Sequence, residues 1–104
     1  MTVHAPPASR RSFDGRRGRS FLIAAGDVLA FHRVGGCDET WTLVAGGPVE
    51  VHLIHPDGRH EMRLLSFERG AVGATATRIE AGVLRAARLA PGGMPARLRR
   101  SGGP

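Results

Sequence analysis

His32 and Glu39 are the side chains best placed to do chemistry in this sequence. They fall either side of a Gly35-Gly36-Cys37-Asp38 stretch with turn chemistry. A histidine titrates near neutrality and ligates metals. A carboxylate beside it can orient it, share its proton or join it at a cation. Both flanks are apolar: Val28, Leu29, Ala30, Phe31 and Val34 on one side, Trp41, Leu43 and Val44 on the other. The stretch therefore reads as two short strands and a tight loop, with His32 on the first strand and Glu39 opening the second. Trp41 shares strand parity with Glu39, so it is either a pocket wall or core, and core is the stronger reading.

The remaining reactive side chains carry weaker signals. His52, His55, His60 and Glu61 cluster around one turn. Strand positions three apart face opposite sides, so surface histidines are expected there and not a zinc site. Cys37 has no neighbouring base in the sequence to activate it and reads as an inert thiol.

The elements that must position these residues are strands. Phe21 to Ala25 is a short apolar run closed by Gly26-Asp27. Ala30 to Val34 and Glu39 to Ala45 follow, and Gly46-Gly47-Pro48 then reads as a turn. Val49 to Leu53 alternates apolar and polar residues. Pro56-Asp57-Gly58 is a hairpin signal, since proline presets φ and glycine accepts the left-handed position. His60 to Leu65 returns, with Met62 and Leu64 on one face and Glu61 and Arg63 on the other. Ala71 to Ile79 and Val83 to Leu89 complete the set, with a turn at Glu80-Ala81-Gly82 between them. Turns this frequent predict an antiparallel barrel or sandwich.

The chain has 104 residues, 15 of them glycine and 7 proline, and only 5% are aromatic. One small domain over 21–90 is expected, with a core of Val, Leu, Ile, Ala and Phe. Residues 1–20 read as a disordered Arg/Pro-rich lead-in and 91–104 as a disordered basic tail. The net charge of +6 comes from 15 arginines and no lysine. Residues 21–89 hold seven arginines against eight acidic residues, so the excess is assigned to the two ends. Aromatic residues are not interleaved with those arginines, which makes nucleic-acid binding a minor reading. No apolar run reaches the length of a membrane span. A single cysteine forms no intrachain disulfide, and a reducing cytoplasm is the expected compartment.

The spacing from Gly26 through His32, Val34 and Glu39 to Gly46 resembles the first motif of the cupin superfamily, G-x5-H-x-H-x3–4-E-x6-G. Val34 stands where the second histidine belongs. In the second cupin motif, Glu80-Ala81-Gly82 occupies the turn and Arg85 takes the place of the histidine. The surrounding text is similar to a group of small, functionally uncharacterised cupins. The resemblance rests on Phe21-Leu22-Ile23, His32-Arg33, Asp38-Glu39-Thr40-Trp41-Thr42, Pro56-Asp57-Gly58 and Ile79 to Arg88. The resemblance covers about two-thirds of the chain. The group's closing strand is not recognisable after Pro91.

The resemblance implies an all-β, cupin-type antiparallel jelly-roll barrel, shortened at its ends. It also implies a reduced site. Cupin metal centres use three or four nitrogen and oxygen ligands, and here only His32 and Glu39 remain. A divalent metal is disfavoured and no cofactor is expected. The leading expectation is a pocket for a sugar-like or carboxylated small molecule, lined by His32, Glu39, Trp41 and Arg85. His32 and Glu39 are candidate acid/base groups for chemistry of the isomerase or epimerase kind. The alternative is a Glu39–Arg85 structural ion pair in a non-catalytic scaffold that acts as a homodimer.

Overall fold

A computed structural model describes residues 18–32, 37–68 and 74–102. Six strands occur among them, and no helix: β1 (Gly18–Ile23), β2 (Leu29–His32), β3 (Glu39–Ile54), β4 (His60–Leu65), β5 (Ala76–Ile79) and β6 (Leu84–Gly102). All strand pairings are antiparallel. The all-β antiparallel barrel expected from the sequence is the observed fold.

Two long strands build it. β3 and β6 pair along most of their lengths, from Glu39↔Gly102 to Ile54↔Leu84. Both bend midway, where the register shifts between Leu43 and Val49. On one side of the bend, β1 adds to β6 and β5 adds to β3. On the other, β2 adds to β6 and β4 adds to β3. The bend thus folds one sheet into two layers with their apolar faces together, each layer edged by two short strands.

The core follows from strict alternation. Trp41, Leu43, Val49, Val51 and Leu53 of β3 are buried, and the residues between them are not. Phe21 and Ile23 of β1, Leu29 of β2, Leu65 of β4, Ile79 of β5 and Ala87, Ala96 and Leu98 of β6 meet them in one cluster. Burying a large aliphatic or aromatic side chain contributes roughly 1.5–3 kcal/mol each, so this cluster is what holds the layers together.

Several sequence expectations need correction. Gly46-Gly47-Pro48 does not separate two strands; it is the bend within β3. Pro91-Gly92-Gly93 does not end the folded part, and 91–104 is not a tail through Gly102. These two turn-like segments lie against each other across the β3–β6 ladder, where Gly47 pairs with Met94. A bend in one paired strand requires a bend in the other, so turn chemistry serves both without breaking either. Beyond the bend, Ala96 and Leu98 are buried while Arg97 and Arg99 are exposed, the period of a half-buried strand. The closing strand is therefore present, and the arginines of 97–100 belong to the barrel wall. At the other end β1 starts at Gly18, inside the expected lead-in, and residues 1–17 lie outside the described residues. So do Arg33, Val34 and the Gly35-Gly36 turn, as does the start of the run expected from Ala71.

The Pro56-Asp57-Gly58 turn forms as expected. Gly58 has φ of 90° and its N–H donates to the His55 carbonyl at 2.8 Å. Asp57 Oδ1 accepts from the Arg59 N–H at 2.9 Å, and the hairpin register runs from Ile54↔His60 to Val49↔Leu65.

Candidate functional site

Asp38 sets the geometry of the site. Its Oδ1 accepts from the Ala81 backbone N–H at 2.9 Å, and its Oδ2 accepts from Arg78 Nη2 at 2.7 Å. These bonds, the Ala81 N–H first and Arg78 second, hold its carboxyl below the usual carboxylate range. They dock the start of β3 on the turn before β6, so that Glu39 and Arg85 come together.

Glu39 is buried. Its Oε1 accepts from Arg85 Nη1 at 2.8 Å and from Trp41 Nε1 at 3.0 Å. Its Oε2 lies 3.4 Å from Arg100 Nε. Arg85 has no exposed surface. Its Nε donates to the Val83 carbonyl at 3.0 Å, and its Nη2 donates to the carbonyls of Glu80 and Val83 at 3.0 and 2.8 Å. Of the five N–H groups of a guanidinium, most are thus directed at Glu39 and at the backbone of the preceding turn. Trp41 is wholly buried and meets Phe21 edge to face, with ring centroids 6.3 Å apart. It is core, and its indole N–H is also a partner of the site.

Arg100 was not recognised from the sequence, because it falls in the segment read as a tail. The guanidinium of Arg100 sits 5.9 Å from the Phe21 ring centroid, in cation–π range. Burial lowers its pKa, Glu39 opposes that, and the nearby charges of Arg19 and Arg85 add to the lowering. Arg19 is its register partner on β1. Arg85 and Arg100 therefore both meet one carboxylate, and Arg19 adds its charge beside Arg100. The alternation of Ala96 and Leu98 with Arg97 and Arg99 is the signal that could have placed Arg100 on the inward face.

His32 lies on β2, opposite Arg85 in the register. Its side chain falls outside the described residues, as does Val34. The hairpin histidines separate as strand parity requires. His55 Nε2 pairs with Glu61 Oε1 at 2.8 Å, and Glu61 is held by Arg63 at 2.9 Å. His52 meets His60 and Glu50 instead. Cys37 is partly buried.

Residues 19–96 match the family model described as cupin superfamily (DUF985). None of the curated proteins compared with the chain matches it. Among solved structures, a protein from Shewanella oneidensis is similar, with TM-score 0.70 and 25% identity over 92% of this chain and 63% of that one. A dTDP sugar isomerase from Desulfovibrio desulfuricans has TM-score 0.71 and 16% identity, over 94% of this chain and 63% of that one. A cupin domain from Bordetella pertussis has TM-score 0.52 and 17% identity, over 85% and 82%. The chain spans less than two-thirds of the length of the Shewanella and Desulfovibrio proteins. With the first-motif spacing, the two-layered barrel and a family match over most of its length, the chain belongs to the cupin superfamily, in its DUF985 family.

Proposed function

We propose that the barrel interior binds a small anionic molecule, carboxylated or sugar-like, and that Arg100 is the group that receives it. The observation that carries this reading is the charge balance around Glu39. Arg85 and Arg100 both meet the single buried carboxylate of Glu39, so positive charge is in excess around it. Arg85 is committed to Glu39 and the turn carbonyls and acts as the fixed support. Arg100 keeps 21% of its side chain exposed beside the same carboxylate. A planar guanidinium in partly desolvated surroundings suits bidentate contact with a carboxylate or phosphate.

The cupin fold commonly carries a divalent metal, and the residues here do not suit one. Val34 stands at one ligand position and Arg85 at another. Glu39 is already engaged by Trp41, Arg85 and Arg100, and a carboxylate neutralised by guanidinium groups is a poor ligand for a second cation. The fold shared with a sugar isomerase supports acid/base chemistry at His32 as an extension of the binding role.

Trp41 is the single tryptophan and touches Glu39, so its fluorescence reports on the site. The test is a panel of sugar carboxylates and sugar phosphates, with and without divalent metals, read by Trp41 emission and thermal shift. A saturable response in the wild type that is lost in a folded Arg100→Gln variant supports the pocket. Equal responses in the two proteins would refute it.

A second reading has its own observation. The donors of Arg85 are directed at Glu39 and at backbone carbonyls, as in a structural clamp. On that reading the chain is a non-catalytic cupin scaffold that works as a homodimer. A silent ligand panel together with a dimer in sedimentation velocity would favour it.

A further inference from the structure

Part of the chain's excess positive charge lies on the barrel wall. β1 and the far half of β6, residues 18–23 and 94–102, hold Arg19, Arg97, Arg99 and Arg100 and no acidic residue. Ala96 and Leu98 are buried, so the alternating Arg97 and Arg99 project from the outer face of the layer. Arg100 has the opposite parity and meets Glu39, so this outer face is separate from the site inside the barrel.

The register places hydroxyl groups beside these arginines. Arg99 lies between Ser20 on β1 and Thr42 on β3, and the next outward residue of β6, Ser101, lies opposite Thr40. Arg97 lies between Leu22, 40% exposed, and Ala45. Residues directly opposite each other in paired strands share a face, so the two arginines and the four hydroxyls form one surface. Among the described residues, neither Arg97 nor Arg99 makes an ion pair or a hydrogen bond. Asp38, two positions before Thr40, is neutralised by Arg78 at 2.7 Å.

We propose that this outer face binds the phosphodiester backbone of a single-stranded nucleic acid. Two residues of an antiparallel strand advance about 6.8 Å, which is commensurate with successive phosphates along an extended nucleic-acid strand. Guanidinium forks and flanking hydroxyls are donors, and phosphate oxygens accept from both. Hydroxyls outnumber large apolar side chains beside the arginines, which favours a hydrated backbone over a lipid layer. None of the two arginines and four hydroxyl residues has a ring on which a base could stack, so binding is to the backbone and carries no sequence preference. The lack of aromatic residues among the arginines limits stacking and leaves phosphate contact untouched.

The test is fluorescence anisotropy of a labelled oligothymidylate of about 20 nucleotides, titrated with the full chain at several salt concentrations. The logarithm of the affinity should fall linearly with the logarithm of salt, and each phosphate contact on a single strand contributes about −0.7 to the slope. Arg97→Gln combined with Arg99→Gln should make the slope shallower by about 1.4 and weaken low-salt binding at least about tenfold. Arg97→Lys combined with Arg99→Lys should keep the slope. Arg59→Gln, at the turn of the β3–β4 hairpin, should leave the affinity unchanged. Circular dichroism checks that each variant is folded. No binding by the wild type, or equal binding by the double glutamine variant, would overturn the proposal. So would binding abolished by Arg16→Gln combined with Arg17→Gln, which lie outside the described residues. Capture on phosphatidylserine vesicles without binding to the oligonucleotide would overturn it in favour of a membrane surface.

Discussion

Glu39 and Arg85 stand 46 positions apart in sequence and 2.8 Å apart inside the barrel, with the guanidinium wholly buried. The pair joins the two long strands at the point where the first and second cupin motifs meet. It occupies the place where the superfamily commonly assembles metal ligands, and here the contact is between a carboxylate and a cationic side chain.

Removing one member should therefore be costly. In Arg85→Met, Glu39 keeps Trp41 and Arg100, while the carbonyls of Glu80 and Val83 lose their buried donor. Breaking a buried pair by deleting one partner costs about 3–5 kcal/mol. Urea denaturation should show that loss in Arg85→Met. Arg85→Met combined with Glu39→Leu should recover part of it, because the buried carboxylate is removed together with the guanidinium that neutralised it.

The bend makes a sharper stability prediction. Gly46 has φ of 74°, and a Cβ there would collide with the Pro95 carbonyl oxygen and lie 2.8 Å from its carbon. Gly58 has φ of 90° with open space around it. Gly58→Ala should cost only the left-handed penalty, about 1–2 kcal/mol. Gly46→Ala must also displace β6 from β3, and its denaturation midpoint should fall well below that of Gly58→Ala.

Acid should weaken the β4 edge through Glu61. Arg63 first and His55 second lower its pKa from 4.5 to about 2. A carboxyl depressed in the folded state contributes stability above its unfolded pKa and loses it as pH falls through the folded one. The loss belongs to the window between 4.5 and about 2. The group is partly exposed, so solvent screens the effect and the slope should be shallow. Stability of Glu61→Gln, followed by urea denaturation across that range, should change less with pH than the wild type.

Local chemistry made part of the fold legible. Pro56-Asp57-Gly58 needs no distant partner to turn, and the alternation of Val49 to Leu53 names its own buried face. Gly46-Gly47-Pro48 and Pro91-Gly92-Gly93 were read as stops because each looks like a turn alone. Their actual role is mutual, and a mutual bend is a non-local property that a window of sequence does not contain. The site divided in the same way. Motif spacing brought Glu39 and Arg85 together on paper, and they meet. Arg100 was lost with the segment that holds it, although Ala96 and Leu98 carried the period that places it. The hairpin histidines were separated correctly by parity for His52 and His55. The pairing of His52 with His60 depended on the register of the turn.

The reach of β6 also sets an order of events. Among the described residues, β1 has no sheet partner except the far half of β6, from Ala96 to Ser101. As the chain leaves the ribosome, β1 must wait for the segment from Ala96 to Ser101 before it can pair. The β3–β4 hairpin can form before β6 has emerged, whereas the layer holding Phe21, Trp41 and Arg100 closes only afterwards. Folding of this barrel is thus a race between the arrival of β6 and the wrong partners available to a waiting strand.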